Sequence, residues 1–340
     1  MADITPIVMP KWGLSMKEGT INDWLVEEGT QITVGMPILD VETDKIANAV
    51  EAPDAGTLRR KVAAVGDILP VKALLGVLAP PEVSDADIDA FVAAYETPAA
   101  DEQDEGAAAA AYQFIDVDGI RVRYAKRGEG ADTVLFIHGF GGDLDNWLFN
   151  LDALADAHTV IALDLPAHGH ATPRLPGTTL ASLAGFVAHF MDALDIGQAH
   201  LVGHSMGGGV AAQLAVDAPQ RVRSVALVEL LFADAGLVSR QMLDDLLRYK
   251  RLDGVTEALG ALGASLFGGG RQTELPGHRL GGTGKPVLVI WGAQDQIIPA
   301  SHAANAPAGA TVKVFDDAGH MSQMEKANEV NALLKRHIGG

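Results

Sequence analysis

The stretch VGHSMGG, Val202–Gly208, places a serine between two glycines at the end of an apolar run. A serine hydroxyl attacks a carbonyl only if a base removes its proton during the attack. A sharp strand-to-helix turn exposes such a hydroxyl, and it needs small neighbours, which Gly203 and Gly207 provide. Asp295 follows the apolar run PVLVIWG, and His320 follows TVKVFDDAG, so nucleophile, acid and base run in the order Ser, Asp, His. Each would close a strand, so the three could converge at one edge of a sheet. In a chain with 38 glycines the serine motif alone fits a packed turn equally well. Its setting, strand HLVG before and helix GGGVAAQLAVDAP after, favours the nucleophile.

Glu229 ends another apolar run and is the rival acid, although a structural or cap-contacting carboxylate is the favoured reading. His138, His168, His170 and His204 crowd the same loops without a coherent ligand set. They are expected to bond backbone or to pack, and no metal centre is expected.

A second candidate lies far upstream. Lys45, in VETDKIANAV, would be an ordinary solvated charge but for its place between two copies of a repeat. Gly19, Thr20, Gly29 and Val34 recur as Gly56, Thr57, Gly66 and Val71, an offset of 37 residues. Both copies alternate apolar and polar residues between glycines, which reads as strands and tight turns. The expectation is a two-fold β-sandwich with Lys45 at a hairpin tip.

The elements that must hold these groups follow from pattern. From Tyr112, the runs TVLFIHG, HTVIALD, AHLVGHS, VRSVALVEL, PVLVIWG and TVKVFDD indicate strands buried on both faces. Helix-like segments at 178–195 and 206–217 separate several of them, as in a mostly parallel sheet flanked by helices. Asp118-Gly119 between two alternating runs signals a hairpin. Residues 231–283 interrupt the alternation and read as a helical cap over the strand ends. In residues 82–96, Ser84 caps a short helix carrying Ile88, Phe91, Val92 and Tyr95 on one stripe. That stripe is expected to pack on its own chain, with docking of a partner as the sharper alternative. Residues 97–111 mix acids with small residues and read as a mobile linker. The expected organisation is a first domain at 1–80, helix and linker at 81–111, and a second domain at 112–340.

Composition narrows the partners. With 44 acidic and 25 basic residues, the net charge of −19 disfavours nucleic acid and anionic membrane surfaces. There is no cysteine, hence no disulfide, thiolate metal site or thiol nucleophile. The start MADITPIVMPKWG lacks a secretory pattern and no apolar run approaches spanning length, so the cytoplasm is the expected compartment.

Residues 112–340 resemble the α/β-hydrolase superfamily, through HGFGG at His138–Gly142, DLPAHGHA from Asp164, WGAQDQIIP and AGHMSQME, in that order. The resemblance implies Ser205 as nucleophile, His320 as base, Asp295 as its orienting acid, and the amides of Phe140 and Met206 as oxyanion donors. PAHGHA departs from the commoner glycine and terminal serine in that loop. Residues 3–80 resemble lipoyl domains, through MPKWGLSMKEGTI, the run from VEEGTQITV to EAPDAGTL, and VGDIL. Biotin carriers place methionines beside the lysine, whereas Asp44 and Ile46 flank Lys45, so lipoate on Lys45 is implied. Together the two parts resemble the acyltransferase components of bacterial acetoin dehydrogenase complexes.

That resemblance implies acetyl transfer from dihydrolipoyl-lysine to coenzyme A in a homo-oligomer. It also implies two partners, a thiamine-dependent acetoin dehydrogenase component and dihydrolipoamide dehydrogenase. The H-x-x-x-D-G signature of other such acyltransferases is missing, because Phe114 stands where its histidine would precede Asp118-Gly119. A lipoyl-linked serine hydrolase using water, or a carrier with an inert hydrolase scaffold, are the rival readings. Arg240, Arg248 and Arg251 are the local hint of a coenzyme A phosphate site, and exposed helix surface explains them equally.

Overall fold

The computed structural model describes residues 4–10, 16, 18–42, 47–98, 112–229, 254–268 and 273–339. It divides into two compact units, residues 1–110 and 111–340.

The first unit contains β1 (Thr5–Val8), β2 (Glu18–Trp24), β3 (Gln31–Ile32), β4 (Pro37–Glu42), β5 (Ala47–Glu51), β6 (Gly56–Lys61), β7 (Ile68–Pro70) and β8 (Leu74–Leu78). They form two four-stranded sheets, β1-β8-β6-β3 and β5-β4-β2-β7. The repeat is now visible in the topology: β2, β3 and β4 correspond to β6, β7 and β8, and each sheet holds the counterparts of the other in the same order. Ile7, Ile21, Ile32, Ile38, Leu39, Val41, Leu58 and Leu75 fill the space between. The repeated pair Gly29 and Gly66 sits in turns at φ of 89° and 92°, the left-handed region that glycine enters at little cost. β4 and β5 pair antiparallel with Glu42 opposite Ala47. Lys45 lies outside the described residues.

Helix α1 (Asp85–Ala94) starts at Ser84, whose hydroxyl accepts from the Asp87 amide. Ile88 is fully buried, and Phe91, Val92 and Tyr95 pack with it against Leu74 and Val77 of β8. Tyr95 Oη donates to the Lys72 carbonyl, while Arg59 and Arg60 pair with Asp85 and Asp89. The stripe therefore covers its own sandwich. Most of the expected linker, residues 99–111, lies outside the described residues.

The second unit is built on β9 (Tyr112–Val117), β10 (Ile120–Arg127), β11 (Thr133–Ile137), β12 (Thr159–Leu163), β13 (Ala199–His204), β14 (Val222–Val228), β15 (Val287–Gly292) and β16 (Thr311–Phe315). Their order is β9-β10-β12-β11-β13-β14-β15-β16, parallel from β12 onward and antiparallel at β9 and β10. Asp118 and Gly119 turn the β9–β10 hairpin with both φ angles positive. Every residue of β13 and β15 is buried, as continuous apolar runs in a central parallel sheet require.

Helices α2 (Leu148–Ala155), α3 (Leu180–Ala193), α4 (Met206–Asp217), α5 (Val255–Leu266), α6 (Ser322–Glu325) and α7 (Ala327–Ile338) accompany the sheet. α3 and α4 bury Leu183, Phe186, Phe190, Val210 and Leu214 in a core shared with Leu135, Leu201, Leu227 and Val289. Of the expected cap, residues 231–253 and 269–272 lie outside the described residues. The part described places Leu262 and Leu266 of α5 in that same core.

One buried ion pair locks the first strands to the site loops. Arg123 of β10 donates Nε and Nη2 to Asp164 at 2.7 and 3.1 Å. Asp164 also receives the amides of Leu144 and His170, so one carboxylate ties two loops to the strand. Among the described residues, no helix is long and apolar enough to cross a membrane.

Candidate active site

Ser205 stands between the end of β13 and the first turn of α4, with φ 50° and ψ −117°. A non-glycine residue rarely adopts such a backbone, and strain of this kind concentrates at functional sites. The cost is borne by close packing. A Cβ on Gly203 would lie 2.3 Å from the Gly207 carbonyl oxygen, and one on Gly207 would lie 2.2 Å from that of Ile137. The Ser205 amide donates to Val228 of β14 at 2.9 Å, fixing the turn across the sheet. Its side chain makes no cap bond to α4 and is half-buried.

Asp295 and His320 follow β15 and β16, the next parallel strands beyond β14. His320 Nδ1 donates to Asp295 Oδ2 at 2.8 Å. Asp295 Oδ1 accepts the amides of Ile297 and Ile298 at 2.7 and 2.8 Å, so the carboxylate cannot turn away. A neutral imidazole that donates through Nδ1 keeps Nε2 as its proton acceptor.

Phe140 lies in the loop after β11, and Met206 opens α4. β11 and β13 pair in parallel with Ile137 beside Gly203. The missing Cβ of Gly207 lets α4 begin against the Ile137 and His138 carbonyls, at the end of β11 from which the Phe140 loop leads. The first amides of a helix have no partner within it, and its dipole favours negative charge there. The Phe140 ring meets His168 and Phe267 edge-on, both at 6.0 Å.

Two groups that the sequence offered only as a rival acid and a loop histidine take defined places here. Glu229, directly after β14, is fully buried and has φ 54°. Its Oε1 accepts from the amide and hydroxyl of Ser322, just past His320. Its Oε2 lies 3.2 Å from His204 Nε2 and 3.7 Å from His320 Nδ1. It touches the histidine loop, the structural contact that the sequence reading favoured, and most of the cap lies outside the described residues. His204 Nε2 donates to the His320 carbonyl at 2.8 Å, and the two rings are 4.8 Å apart. The only signal in the sequence was a lone acid ending an otherwise apolar strand.

His138 and His168 bond backbone as their setting suggested. His138 accepts the Leu165 amide and faces the Gly139 carbonyl, and His168 Nδ1 donates to Pro166. Among the described residues, His204, Glu229 and His320 form one group with ligand atoms within 4.8 Å of one another. Asp295 engages His320 Nδ1 and the His320 carbonyl engages His204 Nε2, so hydrogen bonds already employ the nitrogen of each ring that faces Glu229.

Residues 132–245 and 238–327 match the α/β hydrolase fold family, and residues 5–78 match the biotin-requiring enzyme family. The chain is 75% identical to the dihydrolipoyllysine-residue acetyltransferase component of the acetoin cleaving system of Cupriavidus necator, covering 99% of this chain and 98% of that one. It is 44% identical to the protein of the same description from Pseudomonas putida, covering 99% and 100%. The enol-lactonase structure from Burkholderia xenovorans superposes with a TM-score of 0.56 at 22% identity, covering 67% of this chain and 100% of that chain, a likeness of fold.

Proposed function

We infer thioester-directed acetyl transfer for this chain, which belongs to the family of dihydrolipoyllysine-residue acetyltransferase components of acetoin cleaving systems. The enzyme moves an acetyl group from dihydrolipoyl-lysine to coenzyme A. The observation that carries a serine route is the Asp295–His320 bond at 2.8 Å beside the strained Ser205 turn.

In this reading His320 Nε2 takes the Ser205 proton as Oγ attacks the acetyl carbonyl. The amides of Phe140 and Met206 receive the developing oxyanion, and one such donor is typically worth about 3 kcal/mol. The carbon–sulfur bond breaks, His320 returns the proton to the departing thiolate, and acetyl-Ser205 remains. His320 then takes the proton of the coenzyme A thiol, whose sulfur attacks the ester, and Ser205 leaves reprotonated. Asp295 keeps the imidazole in the required tautomer and balances its charged form.

Lys45 supplies the amine for lipoate attachment. The antiparallel pairing of Glu42 with Ala47 leaves four residues to join β4 to β5, the length of a short hairpin loop, and this fits a carrier lysine. When bound, lipoate would supply, in its reduced dihydrolipoyl form, a thiol that holds an acyl group as a thioester. Partner enzymes of the system, a thiamine-dependent acetoin dehydrogenase component and dihydrolipoamide dehydrogenase, would load and reoxidise it.

The test is a partition experiment with the lipoylated protein, acetyl-dihydrolipoamide and saturating coenzyme A. Acetyl-coenzyme A as the dominant product supports the transferase, and acetate alone supports the hydrolase. Lys45→Arg is expected to abolish turnover that depends on the attached arm while sparing cleavage of a small free ester.

A further inference from the structure

The buried Glu229 carboxylate poses a physical problem. Oε1 is satisfied by Ser322, but Oε2 has no hydrogen-bond donor although it is closed off from solvent. An uncompensated buried charge is costly, and a buried polar atom without a partner calls for an explanation. Glu229 also holds a positive φ directly after β14, as Ser205 does directly after β13. The two strained residues are neighbours across one parallel ladder, in which His204 pairs with Val228.

The groups around Oε2 supply the explanation. His204 approaches it with a proton already given to the His320 carbonyl, and His320 Nδ1 stands 3.7 Å away with its proton given to Asp295. On the outer side of the same loop, the exposed Glu325 accepts the amides of Gly319 and Met321. The N–H groups nearest Oε2 are therefore both engaged elsewhere, with His320 and Asp295. When the proton of Ser205 moves to His320 Nε2, a positive charge forms between Asp295 and Glu229.

We propose that Glu229 is a second carboxylate of the histidine relay, a positioning residue that holds the His320 loop through Ser322 and stabilises the charged imidazole together with Asp295. This rests on the serine route proposed above. No bond to Glu229 forms or breaks, and its Oε2 is kept unbonded so that the interaction strengthens only as charge develops. Selective stabilisation of the charged state raises kcat without improving substrate binding.

The experiment compares Glu229→Gln, Glu229→Asp and Ser322→Ala in the full-length lipoylated protein, with Ser205→Ala alongside. Glutamine keeps the shape and an acceptor for Ser322, so the melting temperature should stay near the parent value. Its kcat is expected to fall about 10- to 100-fold, as for losing one interaction with a charged group, with KM within about twofold. The acidic limb of kcat against pH should move to lower pH, because one of the negative charges facing His320 is gone. Glu229→Asp keeps the charge and should leave that limb in place, as should Ser322→Ala, which loosens the loop alone. Adding Asp295→Asn to Glu229→Gln should lower kcat further than either change does singly.

Parental kcat in Glu229→Gln, or a loss with an unmoved acidic limb, overturns the proposal. Parental turnover in Ser205→Ala instead removes the serine route on which it stands.

Discussion

His204 donates its Nε2 proton to the main-chain carbonyl of His320 at 2.8 Å, joining the residue before the proposed nucleophile to the proposed base 116 positions later. A Cβ on Gly139 would lie 2.8 Å from His204 Nδ1, so the same ring also rests against the oxyanion loop. His204→Phe preserves a ring but leaves the carbonyl without its donor. Urea unfolding is expected to show a loss of about 1–3 kcal/mol, the usual cost of a buried group left unsatisfied.

The serine turn depends on absent side chains. Gly207→Ala drives a methyl into the Ile137 and His138 carbonyls, backbone atoms that cannot swing aside. A stability loss of about 3 kcal/mol or more is expected, at the upper end for overpacking. Gly260, inside α5, has nothing within 4 Å of where a methyl group would sit, and serves as the control. Gly260→Ala should gain about 0.5–1 kcal/mol from helix propensity. Thermal melts of the two variants should move in opposite directions.

The placement of the candidate residues was legible because the chain announces it locally. Ser205, Asp295 and His320 each follow an apolar strand, and chain order mirrors the ends of β13, β15 and β16. Glu229 was visible only as a rival acid, because its role depends on cross-strand distances that no local period encodes. Arg123 was missed for a related reason. It lies in the alternating run IRVRYAKR, yet its side chain turns inward because Asp164, 41 residues away, waits there. The stripe of α1 was legible as apolar, but only the packing of Ile88 against β8 decided which surface it covers.

The Arg123–Asp164 pair carries its own prediction. Asp164 is fully buried and serves Arg123 and two loop amides at once. Asp164→Ala should cost about 3–5 kcal/mol by leaving the buried guanidinium only the longer contact with Asp145 at 3.7 Å. Denaturant melts of Asp164→Ala and of Asp164→Ala with Arg123→Met check the cause. The double variant should recover part of the loss, because the poorly paired guanidinium is gone.

Acid sensitivity should come partly from His200. Burial lowers its pKa from 6.5 to about 4, outweighing the pull of Asp132, while its Nδ1 faces Ser224 Oγ at 2.8 Å. Between those two values the unfolded chain binds a proton that the folded protein does not. Stability is therefore level above about pH 6.5 and falls as pH drops toward 4, by up to ~1.4 kcal/mol per pH unit. His337, lowered by burial as well, adds in the same direction. His200→Gln should flatten that slope in urea melts taken from pH 7 to 4, and an unchanged slope would assign it elsewhere.

The most direct measurement of the central claim is the rate of acetyl-coenzyme A formation from acetyl-dihydrolipoamide by Ser205→Ala, folded and lipoylated like the parent. If Ser205 is the nucleophile, its loss should lower that rate by about a thousandfold or more. A Ser205→Ala enzyme that turns over at the parent rate would mean that the acetyl group never passes through this serine.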